Sequence, residues 1–445
     1  MSTTIASRRD VLRAAGFGAA AALTSKPLAG APKTTKPPRG ARDKPNIIFI
    51  LADDLGYGEL GCYGQKLIRT PAVDAMARKG LKLTRFHAGF PLSLPARCTL
   101  MTALHSGHAR CRKNGGGGNH PELAEEDTTI ATVLKAAGYK TAMTGKWALG
   151  DRFIGCVKAS KNKDGSGAIY KHGWDYYFGE PNQTYCHSYY PEQLYRYDRY
   201  GLVGKKTDGN RLDVVPLKGN RANRTHYTHD LITAKALAFI DAAKDGPFFL
   251  YVPYTIPHSD HVVPELEPYT KDTPWQKKEK VYASMVSRMD RDVGRIVKRL
   301  ETHGIARNTL VIFTSDNGTA APRLFEGSGG LPGRKGRFEV GGVRVPGVAY
   351  WPGTIQPGRT SDLLSAFWDI MPTCAALAGI RPPAPIDGIS MVPTLLGRGT
   401  QARHKYLYFG AGKRRLIIRN TGETRTDEQI LPEAVTDVIV PTFPL

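Results

Sequence analysis

The run Asn46 to Ala52 (NIIFILA) is apolar at almost every position, the pattern of a strand buried on both faces of a parallel sheet. Val73 to Lys82 and Thr128 to Ala137 carry helical spacing, and Gly138 stops the second. Tyr139 to Thr144 predicts the next strand, Leu231 to Ala243 an amphipathic helix, and Pro247 to Pro253 the strand after it. Tyr282 to Thr302 predicts a longer helix closed by Gly304, followed by the buried strand Thr309 to Thr314 (TLVIFT). Short apolar runs alternating with helical stretches predict an α/β fold with a largely parallel central sheet flanked by helices. Asn114 to Asn119 and Lys158 to Gly167, both glycine-rich, read as mobile surface loops.

The residues just past each strand give the pattern a chemical meaning. The first strand runs into Asp53-Asp54, another into Lys146, the next into His258 and the last into Asp316-Asn317-Gly318. Ligands of open α/β sheets sit beyond the carboxyl ends of the strands, so four strands deliver acid, amide, amine and imidazole groups to one edge. Taken singly, Asp53-Asp54 also fits a helix cap and Ser315 to Gly318 a turn. Together, three carboxylates at one edge call for a cation, and donors that are all oxygen suit Ca2+, with Mg2+ second, rather than a thiophilic metal. A cation beside Lys146 and His258 is what a transferring sulfuryl or phosphoryl group requires; a single Lys or Arg is by default a solvent-exposed charge, and Arg97 and Lys335 join this set only through the motifs that contain them.

Composition narrows the setting. Hydrophobic residues make up 41% and charged residues 23% of 445, as in a soluble globular protein rather than a disordered one. Net charge is +22; residues 1–31 carry +3 of it, leaving +19 to attract polyanions. No nucleic-acid-binding motif accompanies that charge, and sulfated glycan suits it better; a merely solubilising surface explains it equally well. Six cysteines without a Cys-x-x-Cys pair exclude a zinc ribbon or a disulfide scaffold, and leave room for one or two disulfides of undetermined pairing. Arg8-Arg9 ahead of the short apolar run Ala14 to Leu23, with Ala29-Gly30-Ala31 as a cleavage site, predicts a twin-arginine (Tat) export signal over 1–31. The apolar run is too short for stable membrane insertion, which takes ~20 residues. A Lys/Pro-rich linker over 32–44 precedes a catalytic domain over 45–385 and a short C-terminal subdomain over 386–445.

Ser93-Leu94-Pro95-Ala96-Arg97 resembles the sulfatase signature, in which Cys or Ser, any residue, Pro, a small residue and Arg open a helix. Lys44 to Gly64 resembles that family's first metal motif, and Thr144 to Gly150 its lysine motif. Asn182-Gln183, His187 to Pro191, Pro257-His258, Ser315 to Gly318 and Gly333 to Pro346 complete an ordered match from about Lys44 to about Phe409. The chain resembles arylsulfatase-A-like and glycosaminoglycan-type sulfatases of the alkaline phosphatase superfamily. The resemblance implies an alkaline-phosphatase-like fold and a sulfuric ester hydrolase whose Ser93 a maturation enzyme oxidises to formylglycine. By the same resemblance Ser93 touches the metal, Arg97 stabilises it, Lys146 and Lys335 hold the sulfate, and His258 protonates the leaving alcohol. Asp53, Asp54, Asp316 and Asn317 then bind Ca2+. The substrate implied is a sulfated carbohydrate or aryl sulfate, met in the periplasm or outside the cell.

Three positions depart from the family pattern. Ser93 stands where Cys is commoner, Ala148 where many members have His, and the C-terminal region is abbreviated. His105 or His108 is a candidate for the missing imidazole's task, though a surface or packing role is the better reading of each. Two other readings keep the same residues: a phosphomonoester, phosphodiester or phosphonate hydrolase using unmodified Ser93, and a non-catalytic binder of sulfated glycans.

Overall fold

A computed structural model describes residues 44–116, 120–150, 165–270, 273–422 and 424–426. The expected export signal, most of the linker, most of the loop 158–167 and the tail after 426 lie outside the described residues. No described helix is long and apolar enough to cross a membrane.

The chain lays down strands β1 (Asn46–Ala52), β2 (Leu81–Leu83), β3 (Phe86–His87), β4 (Lys140–Thr144), β5 (Tyr176–Gly179), β6 (Gln193–Asp198) and β7 (Asp213–Pro216). β8 (Phe248–Pro253), β9 (Thr309–Ser315), β10 (Gly347–Tyr350), β11 (Arg359–Ser361) and β12 (Ser365–Ala366) come next, then β13 (Tyr406–Ala411), β14 (Arg414–Arg419) and β15 (Thr424–Arg425). Ten of them form one sheet in the order β11-β2-β10-β9-β1-β8-β4-β5-β6-β7. Its centre is parallel: β1 pairs with β8 and β9, and β4 with β8 and β5. Antiparallel strands enter only further out, at β10, β6 and β7. β1, β8 and β9 are buried at every residue, as their unbroken apolar runs predict, because helices cover both faces.

One face buries α2 (Ser93–Thr102) and α3 (Ile130–Ala136) with Phe49, Phe249 and Ile312. The other buries α1 (Pro71–Arg78) and the helices Thr228–Ala243 and Lys277–Thr302 with Ile48, Ile50 and Val311. The helix expected over Val73 to Lys82 ends at Arg78. Gly80 passes so close to β10 that a Cβ there would lie 2.2 Å from the Ala349 carbonyl oxygen, and Leu81–Leu83 then joins the sheet. The helix expected from Tyr282 begins at Lys277, where Gln276 and Glu279 make a capping box that satisfies its first N–H groups.

A small antiparallel sheet, β13-β14-β15, forms the C-terminal subdomain. Leu407, Phe409, Leu416 and Ile418 pack on Val343, Leu364 and Trp368. The five described cysteines are all thiols.

Candidate active site

β1 runs into Asp53 and Asp54, and its neighbour β9 into Asp316 and Asn317. The two strands are parallel and in register from Asn46–Thr309 to Ala52–Ser315, so both acidic pairs leave the sheet at one level. Oxygens of Asp53, Asp54 and Asp316 all lie within 4.8 Å of one another, and the three side chains are buried. Asp54 has φ 69°, a left-handed backbone that costs about 1–2 kcal/mol in a non-glycine residue. Its N–H donates to Asp316 Oδ1 at 3.2 Å, which pins it there. Behind this loop Glu59 accepts from the Gly56 N–H at 2.7 Å and from the Tyr282 hydroxyl at 2.6 Å, tying the acidic turn to a core helix.

Ser93 opens α2, every residue of which is buried. Its Oγ lies 3.1 Å from Asp53 Oδ1 and 3.2 Å from Asn317 Oδ1, with one proton to give to either. One turn on, at the i+4 position that shares its helix face, Arg97 donates to Asp316 Oδ2 at 2.8 Å and sits 3.4 Å from Asp53. Lys146 comes after β4 through Gly145, where φ is 135° and a Cβ would lie 2.0 Å from the Pro253 carbonyl oxygen. Only glycine lets the ends of β4 and β8 come so close. Lys146 Nζ thereby reaches Asp53 Oδ2 at 2.7 Å. Lys335 Nζ lies 2.6 and 2.7 Å from the two oxygens of Asp54. His258 anchors Nδ1 on the Ser259 carbonyl and turns Nε2 to within 3.6 Å of Asp54.

All the residues expected at the strand ends and in the signature therefore meet in one place. So does His187, to which the sequence pattern alone assigned no role. It sits on a single 3-10 turn, Tyr185–His187, after β5. Its Nε2 is 3.0 Å from Lys146 Nζ and 3.6 Å from Asp53, and its ring stacks on His258 with centroids 3.6 Å apart at 3°. Ala148 is buried nearby in the same loop as Lys146 and offers no polar group. His105 and His108 do not reach the centre; they stack on each other and bond to Asp387 beside the C-terminal subdomain.

Electrostatics follow from the pairing. Burial alone would push the Asp53 carboxyl up, but Lys146 foremost, with both histidines and Arg97, holds it well below the usual range. Asp316 moves the other way, because burial and the Asp53 charge outweigh Arg97. Burial opposes the charge on Lys335, yet Asp54 and its neighbours raise its pKa. Burial and the Lys146 ammonium drive His187 down to about 3, so its ring is neutral and accepts from Lys146.

A hard divalent cation fits this donor set. Three carboxylates and the Asn317 amide oxygen converge, and none of the donors is soft. Arg97, Lys146 and Lys335 balance the carboxylates one for one, so a doubly charged ion leaves the pocket attractive to an anion. The arrangement can hold an anionic ester between two lysines, with Ser93 Oγ on one side and His258 on the other.

The model of the family described as Sulfatase matches residues 45–380. N-acetylgalactosamine-6-sulfatase of Canis lupus familiaris is 32% identical over 422 residues, covering 90% of this chain and 72% of its own. Arylsulfatase A of Homo sapiens is 33% identical over 389 residues, covering 82% and 70%. Among solved structures, Ps i-CgsB in complex with k-i-k-neocarrahexaose superposes with a TM-score of 0.70 at 27% identity, covering 86% of each chain. The phosphonate monoester hydrolase of Agrobacterium radiobacter shares the fold, with a TM-score of 0.59 at 20% identity and coverage of 86% and 88%.

Proposed function

The chain belongs to the sulfatase family and is a sulfuric ester hydrolase, and we propose that it works through a formylglycine made from Ser93 beside a Ca2+ ion. One observation carries the reading: Ser93 Oγ touches both Asp53 and Asn317 while Arg97, on the same helix face, holds Asp316. Asp53, Asp54, Asp316 and Asn317 would hold the cation, with the oxidised Ser93 as a further oxygen donor. When bound, it polarises the attacking oxygen and neutralises charge on the sulfate. Hydrated formylglycine has two hydroxyls. One attacks sulfur, and the second lets the sulfated residue break down by elimination, a route closed to plain serine.

The other residues have separable tasks. Lys146 and Lys335 hold the sulfate oxygens. Neutral His187 accepts from Lys146 and keeps that ammonium aimed into the pocket, a positioning role for an imidazole that Ala148 does not supply. His258, fixed at Nδ1, donates from Nε2 to the departing alkoxide oxygen. A sulfated carbohydrate is the substrate class favoured, because the +19 charge left after residues 1–31 suits a polyanion and an oligosaccharide occupies a relative. Arg8-Arg9 supports export by the twin-arginine machinery, and Ser93 calls for a serine-competent maturation enzyme.

The test is the mass of the tryptic peptide Phe86 to Arg97 from active protein. Formylglycine makes it about two units lighter than serine as the aldehyde, or about sixteen heavier as the hydrate. Ser93→Ala should be inactive. Many turnovers of a sulfate ester by protein whose peptide shows only serine would sink the mechanism. Robust phosphatase or phosphonate-esterase activity from that unmodified protein would favour the phosphoryl reading instead.

A further inference from the structure

Tyr189 comes just after His187 on the same segment and is buried. The start of the helix Thr228–Ala243 holds it there. The Thr228 N–H donates to the Tyr189 carbonyl at 2.9 Å, and the Thr228 hydroxyl reaches the same oxygen at 3.1 Å. The Tyr189 ring lies against Tyr227 with centroids 5.7 Å apart. Its phenol extends to the stretch that follows β8, where the hydroxyl is 2.5 Å from the His258 carbonyl oxygen and 3.0 Å from that of Thr255. The hydroxyl thus closes the stretch Thr255–His258 at both ends. Burial holds its pKa well above the usual phenol range, so it keeps the proton it donates. From the other side the Asp53 N–H donates to the Ile256 carbonyl at 3.2 Å. The ring of His187 covers that of His258, with centroids 3.6 Å apart. The segment 187–189 therefore grips His258 twice, at the ring by stacking and at the backbone by a hydrogen bond.

We propose that Tyr189 is a positioning residue for proton delivery by His258: its hydroxyl fixes the backbone from which His258 Nε2 is aimed at the departing oxygen. The proposal rests on the assignment of His258 as the acid. As the S–O bond breaks, the Nε2 proton passes to the leaving oxygen while the Nδ1 proton stays on the Ser259 carbonyl. That transfer requires Nε2 within about 3 Å of the leaving oxygen, and the ring can be lost from there in two ways. Rotation of the side chain is limited by the His187 stack and by the bond at Nδ1. Displacement of the backbone is limited by Tyr189, because His258 lies beyond the end of β8 and past the ladder of the sheet. Removing the hydroxyl alone keeps the Tyr189 ring in its packing against Tyr227 but frees the Thr255–His258 stretch on that side. The loss then falls on the step that needs a proton. A leaving group stable as its anion escapes that loss, and a basic one does not.

The test compares leaving groups on the active, full-length protein. The probes are 4-nitrophenyl sulfate, whose phenoxide departs readily without a proton, and phenyl sulfate, whose phenol has a pKa of about 10. Tyr189→Phe should lower kcat/KM about 10-fold on phenyl sulfate and less than about 2-fold on 4-nitrophenyl sulfate. His258→Gln should show the same split more strongly. The double variant should be no worse than His258→Gln alone, because Tyr189 acts through that ring. A general loosening of the fold lowers both substrates alike and does not produce the split. If His258→Gln discriminates between the probes but Tyr189→Phe loses equally on both, or the two losses multiply in the double variant, the proposal is overturned and the role of His258 stands. Equal losses on both probes in His258→Gln overturn that role, and the proposal with it.

Discussion

Replacing Arg97 by methionine keeps much of the side-chain volume and removes the guanidinium from between two buried carboxylates. At 2.8 Å from Asp316 and 3.4 Å from Asp53, an effective dielectric near 20 gives attractions of about 6 and about 5 kcal/mol. Burying the guanidinium offsets several kcal/mol of that. What remains on removal is the penalty of breaking a buried pair, about 3–5 kcal/mol. Urea unfolding at pH 7, with a chelator present so that no cation substitutes, should show a loss of that size. The sign with pH comes from Asp316, whose pKa burial and Asp53 already raise. Without Arg97 it rises further, so the loss is full at alkaline pH and shrinks as falling pH puts a proton on the carboxyl. Arg97→Lys retains the charge and should lose less. A methionine variant within about 1 kcal/mol of the parent at pH 7 would refute the reasoning. So would equal losses for methionine and lysine at every pH.

Asp316→Ala should abolish stoichiometric Ca2+ binding and activity together while the chain stays folded; retained Ca2+ by elemental analysis would remove Asp316 from the ligand set. Gly145→Ala sets a Cβ against the Pro253 carbonyl and so displaces Lys146. A fall in kcat/KM of about 100-fold with an unchanged circular dichroism spectrum is expected. His87 is buried with its pKa pushed down to about 3, by burial first and by Arg344 and Arg85, against the bond to the Ser365 carbonyl. Its neutral ring therefore contributes full stability above about pH 6.5, lost below that at up to about 1.4 kcal/mol per pH unit. The acid limb of the stability curve should be shallower in His87→Gln, and an identical limb would contradict the assignment.

The parts of the site legible in the sequence are those that end strongly apolar strands. Asp53, Asp54, His258, Asp316 and Asn317 come after β1, β8 and β9, whose hydrophobic runs mark where the chain exits the sheet, whereas Lys146 comes after β4, a strand of mixed composition. Arg97 and Lys335 are carried by helix and loop, and periodicity does not reveal them; the signature motif does. His187 enters only as the start of a matched motif, with no role, because its strand goes unrecognised. β5 is four residues, three of them aromatic, and the next two strands along the chain, β6 and β7, are half-polar, so neither strand length nor alternation marked that region. Asn114, expected in a mobile loop, instead bonds to α2, a long-range contact that no local pattern encodes.

The four strands that deliver the charged groups, β9, β1, β8 and β4, are consecutive in the sheet and hydrogen-bonded in parallel to one another. The turn bearing His187 and the Asn182-Gln183 loop hang from β5, outside that quartet, and Lys335 precedes β10 on its other flank. The acids, Lys146 and His258 are thus mounted on the inner four strands, while His187 and Lys335 reach the same centre from either flank. Exchanges confined to 182–184, short of the turn that carries His187, leave the hydrogen bonds between the inner four strands in place. For an engineer this is a division into chassis and fitting: selectivity can be diversified by loop libraries there, while the acids and Lys146 keep their register.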